Sequence, residues 1–197
     1  MKAISCFLAI LLFIACNQKK NATSSAAVTA IKATRDSAAN FFPVTSFLKG
    51  QIYEIRNIGI APVRKITVGD HTDSSYVKPE DLEAVFADFL IPVIDTANLS
   101  GMFTEKKFLD QTLNAFTFTY DPLGDKAQHF PFRHWDVYVD PETNKVRRIY
   151  LIRNAGPAKE LQLTWQCGKW CKIVTINTSG NGNIEKEEKI SWTYEQQ

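Results

Sequence analysis

From about residue 102 onward, apolar side chains recur at every second position, and this period constrains the fold more than any other feature of the chain. A strand sends alternate side chains to opposite faces, so each run acquires one apolar face that must be buried. The runs fall at 113–120, 134–140, 146–153, 160–166, 170–178 and 184–194. Between them, "DPETNK" (140–145) and "TSGNGN" (178–183) supply Asn or Gly where a hairpin loop needs positive φ. Hairpins in succession predict an antiparallel meander.

The earlier residues change period. Val44, Leu48, Ile52 and Ile55 recur at helical spacing after Pro43, and Gly59 is placed to stop the run. Pro79, Glu80 and Asp81 open a second helix, whose acids suit the positive end of its dipole. Leu82, Val85, Phe86, Phe89 and Leu90 share one face of it, and Pro92 ends it. Between the helices, "APVRKITVGD" (61–70) reads as a strand. The expected architecture is α+β, an antiparallel meander sheet of about six strands packed on two N-terminal helices, in a single domain over 41–197.

The first residues have a different use. Lys2 gives a short positive start, and Ala3 to Ala15 run almost without polar interruption. That is the size of a signal-peptide apolar region and falls short of the ~20 residues a membrane span needs. It closes on Phe13, Ile14, Ala15 and Cys16, and this resembles the bacterial lipobox, with Phe13 where that family prefers Leu. The resemblance covers the leader alone. It implies cleavage after residue 15 and acylation of Cys16, with diacylglyceryl and palmitate chains replacing the leader as anchor. By the same resemblance, Asn17 in place of an Asp implies the outer membrane of the cell envelope. Residues 16–40 then read as the lipidated cysteine and a flexible tether reaching about 27 Å, since the stretch is too polar to offset its ordering entropy. A helix over 26–39 docked on the body is the alternative.

With 23 basic against 21 acidic side chains, the chain lacks the basic surplus that nucleic-acid binding requires. Cys6 leaves with the leader and Cys16 carries lipid, so only Cys167 and Cys171 remain for a disulfide in an oxidising compartment. In "LTWQCGKWCKIV" (163–174), a two-residue Gly168-Lys169 turn pairs Cys167 with Trp170 and Leu163 with Val174. That register gathers apolar side chains on one face and sends Cys171 to the other, which predicts two free thiols. A three-residue loop pairing Cys167 with Cys171 is the alternative.

The segment "DKAQHFPFRHWD" (125–136) is read as a loop and as the candidate ligand-binding site. In the functional reading, Phe130, Phe132 or Trp135 stacks on a sugar, peptide or lipid, and Arg133 holds a carboxylate or phosphate beside His129 and His134. In the plainer reading the aromatic rings close the end of the sheet. "GDHTDSSY" (69–76) gathers Asp70, His71, Asp73 and two serines, a composition shared with ordinary turns. No Gly-x-Ser-x-Gly elbow, His-Glu-x-x-His or phosphate loop is present, so no catalytic residue, metal ligand or cofactor is assigned. Trp165, Ile190, Trp192 and Tyr194 read as sheet core, and "EKEEK" (185–189) as a solvated strand that guards an edge.

The functional expectation is a lipid-anchored envelope protein, a non-catalytic binding or assembly module for an envelope protein, peptide or saccharide. Its alternatives are a periplasmic hydrolase using 70–75 or 125–136, and a structural partner of an outer-membrane complex.

Overall fold

The computed structural model describes residues 41–94, 96–99, 101–127, 129–180 and 182–193. The leader, Cys16, the tether with its alternative helix over 26–39, and Tyr194 lie outside the described residues.

Helix α1 (Val44–Asn57) forms where the apolar stripe runs, and it buries Val44, Leu48, Ile52 and Ile55. Its end falls at Ile58, after which Gly59 takes φ of 69°, a left-handed value that glycine adopts without a Cβ penalty. The second helical stretch differs from the single helix expected. It is a 3₁₀ turn (Pro79–Asp81) followed by two short helices, α2 (Leu82–Val85) and α3 (Ala87–Leu90). The break falls at Phe86 (φ −96°, ψ 8°), whose ring meets Trp165 and Trp192 edge-on with centroids 5.0 and 6.0 Å away. Packing of that one ring overrides the helical period, yet Leu82, Phe86, Phe89 and Leu90 still face the core. A last short helix, α4 (Thr96–Leu99), precedes the meander.

The described residues form one antiparallel sheet of nine strands: β1 (Val63–Val68), β2 (His71–Tyr76), β3 (Phe103–Asp110), β4 (Ala115–Pro122), β5 (Phe132–Val139), β6 (Val146–Asn154), β7 (Lys159–Gln166), β8 (Trp170–Asn177) and β9 (Asn183–Ser191). Their order is β2-β1-β9-β8-β7-β6-β5-β4-β3. The described residues are therefore mostly β, with less helix than expected; the strand expected at 61–70 joins the six of the meander as β1, and β2 and β3 are additional. Sequence periodicity misses β2 and β3 for a physical reason. Both are edge strands, and the solvated His71–Tyr76 and the charged Thr104–Lys107 stretch carry no apolar alternation. Residues 69–76, read as a turn, thus supply the edge strand of a hairpin. Of residues 125–136, read as a loop, Asp125–Ala127 form a 3₁₀ turn and 132–136 belong to β5.

One face of the sheet, here called inner, packs on α1 to α3. Trp135 stacks on Tyr120 at 4.9 Å, and Trp165 lies edge-on to Phe89 at 5.3 Å. Arg153, on the inner side of β6, donates to Asp88 Oδ1 at 2.5 Å and to the Ile91 carbonyl at 2.8 Å, clamping α3 to the sheet. The Ile94 amide donates to the buried Thr45 hydroxyl at 2.8 Å and ties the following segment to α1.

Two expectations about the last strands are corrected. The β7–β8 hairpin pairs Gln166 with Trp170, Trp165 with Cys171 and Leu163 with Ile173, one residue away from the expected register. Gly168 (φ 73°) occupies the third position of a turn closed by Lys169 N–H to Gln166 O at 3.1 Å, the backbone a type II turn needs. A one-residue slip exchanges the faces of a strand. Cys171 and Ile173 therefore point into the core, where both are buried, while Trp170 points out. Cys167 and Cys171 are both free, and burial pushes the Cys167 thiol up to about 12. Residues 185–189 guard no edge, because β9 lies between β1 and β8. Glu188, only 3% exposed, is bonded to Arg64 at 2.7 Å and to Lys186 at 3.3 Å on the inner face.

Candidate functional site

The 129–135 segment scatters when its backbone is built. Arg133 sits at a β-bulge, where β5 shifts register against β6 between Phe132 and His134. That extra residue resets the alternation, so Phe132 and Trp135, three positions apart, both enter the core and are fully buried. Neither presents a face for stacking on a ligand. Phe130 is half-buried against Phe103, with centroids 5.7 Å apart. His129 and Arg133 are exposed.

His134 alone joins a constellation. Beyond the bulge, β5 alternates regularly, so His134, Asp136 and Tyr138 share the outer face, and β4 places Thr119 and Asp121 alongside. His134 Nδ1 lies 2.9 Å from Asp121 Oδ1, and Nε2 lies 3.1 Å from Asp136 Oδ2. Asp136 also accepts from the Thr119 hydroxyl at 2.7 Å and the Tyr138 hydroxyl at 3.1 Å, while Lys106 Nζ reaches Asp121 Oδ2 at 2.8 Å. Two carboxylates thus face one imidazole and one ammonium.

Both ring nitrogens can donate only in the imidazolium form. The bond to Asp136 raises the His134 pKa, burial opposes it, and Asp121 adds to the rise. Lys106, aided by His134 against burial, lowers the Asp121 pKa. Burial pushes Asp136 upward, but bonds from His134, Thr119 and Tyr138 outweigh it and the net shift is down. Burial and the Asp136 charge push Tyr138 up to about 12. The ion cluster is internally satisfied. A general base needs a free nitrogen facing its substrate, and His134 offers none in this arrangement.

The sequence pointed to His134, with Asp136 two residues on, but missed the partners on β3 and β4. Asp136 and Tyr138 follow from the period of two along β5, whereas Thr119, Asp121 and Lys106 arrive through strand pairing that no local pattern encodes. His71 lies on β2, six places from β5 in the sheet order, so the two histidine-bearing segments do not meet. Among the described residues, no group of three His, Cys, Asp or Glu side chains is arranged to hold a metal ion. No helix among them is long and apolar enough to cross a membrane. Compared with family models, curated proteins and solved structures, the chain matches none of them.

Proposed function

We propose that this is a lipid-anchored protein of the bacterial cell envelope, attached to the outer membrane through Cys16, with a body that is a non-catalytic binding or assembly module. The observation that carries the reading is the run Phe13-Ile14-Ala15-Cys16 between an apolar leader and a polar stretch. Its parts are the leader (1–15), the lipidated cysteine and tether (16–40) and the body (41–197). Two or three acyl chains, at ~0.8 kcal/mol per buried CH₂, make a lasting anchor where one chain makes a reversible one.

The body supports binding over catalysis through the occupied state of its histidine cluster. Assembly is supported by β2, a sheet edge whose residues are all exposed. Palmitate labelling of the native chain and Cys16→Ser in a bacterial host, followed by membrane fractionation, tests the anchor. Label and membrane association are expected in the native chain and lost in the variant. An unlabelled native chain overturns the reading.

A further inference from the structure

The register of β8 has a consequence on the outer face. Trp170, turned outward, borders a cleft of about 270 Å³ with Val63, Lys65, Lys189, Ser191 and Thr193. No carboxylate lines it. Lys65 lies directly opposite Lys189, and Lys189 directly opposite Lys172, so three ammonium-bearing side chains stand in one row across β1, β9 and β8.

Like charges directly opposite weaken a sheet, by roughly 0.2–1 kcal/mol per pair. Glu187, 3.4 Å from Lys172, relieves one of the three. Lys65 and Lys189 have no carboxylate partner among the described residues, and Lys189 Nζ instead sits over the Trp170 ring, 5.3 Å from its centroid. The fold thus carries an electrostatic cost at a cleft bordered by an aromatic ring. Farther along the same face, Gln166 pairs with Trp170, and Arg148 lies over Tyr138 at 5.7 Å.

We propose that this cleft binds an anionic saccharide, a sugar ring bearing a carboxylate or phosphate. Trp170 and Val63 take the C–H face of the ring, Lys65 and Lys189 hold the anion, and the Ser191 hydroxyl bonds a sugar hydroxyl. An apolar ligand would desolvate the lysines without compensation. A bare inorganic anion makes no use of the indole, and a flat bilayer does not follow a concave wall. The inference rests on the reading of the body as a binding module and is independent of the lipid at Cys16, whose test is separate.

Calorimetric titration of the full chain decides it. The probes are oligogalacturonate, a phosphorylated mannan oligomer, neutral oligomers of the same sugars, inorganic phosphate, and phosphatidylglycerol vesicles. At least one charged saccharide should saturate at one per chain, about tenfold or more tighter than the neutral oligomers or phosphate, and weaken as salt rises. Trp170→Ala, and separately the pair Lys65→Gln with Lys189→Gln, should each lower that affinity about tenfold or more. The lysine pair variant should keep a cooperative unfolding transition close to the native midpoint, because relief of like-charge repulsion offsets loss of the Lys189–Trp170 contact. Equal binding of neutral sugars or of phosphate, binding to vesicles alone, affinity untouched by the substitutions, or no binding overturns the proposal.

Discussion

His134 stores a protonation state as well as a contact. Its folded pKa lies above the ordinary value of about 6.5, so its contribution to stability is complete below about pH 6.5 and is lost as pH rises through the raised folded value. Asp121 and Asp136 are shifted down and act in the opposite sense. Their contribution is present above about pH 4 and disappears as pH falls through the lowered values. The cluster is therefore strongest between about pH 4 and pH 6.5. Thermal unfolding across about pH 4 to pH 9 should show the native midpoint declining on the alkaline side more steeply than that of His134→Gln. Parallel curves for the two proteins would contradict the assignment. The same residue shows how far local reading goes, because its type and its neighbour Asp136 are visible in the chain while Asp121 is brought by β4.

At the scale of the element, α1 was legible because its four apolar residues are spaced for one helical face, a property of the backbone alone. The stretch from Pro79 to Leu90 was legible in its buried face and not in its continuity, because Phe86 is positioned by Trp165 and Trp192, far away in sequence. What holds α3 in place is Arg153. Its guanidinium meets one carboxylate and the carbonyls of Asp88 and Ile91, leaving those groups partly buried without a partner if it is removed. Arg153→Ala should cost on the order of 2 kcal/mol, less than a fully buried pair because Asp88 is partly exposed. Urea unfolding measures this, and a loss well below 1 kcal/mol would show that the aromatic packing alone fixes α3.

For the whole molecule, the decisive contact is between β1 and β9, which joins the beginning of the described body to its end. The β1–β2 hairpin has no other strand to pair with among the described residues, so the sheet is complete only when the last strand is in place. Truncation after residue 182 should abolish the single cooperative unfolding transition, read by near-ultraviolet circular dichroism. A truncated chain that keeps a sharp transition would mean that β3 to β8 and the helices form an independent core. The sequence by itself determined the chain of hairpins and the buried face of α1, since each depends on residue type at local spacing. Only the tertiary structure decided the interior place of β9, the outward turn of Trp170, the burial of Phe132 and Trp135, and the meeting of Asp121 with His134. Each of these depends on which strand pairs with which, in which register, and that choice is set by packing between residues distant in the chain.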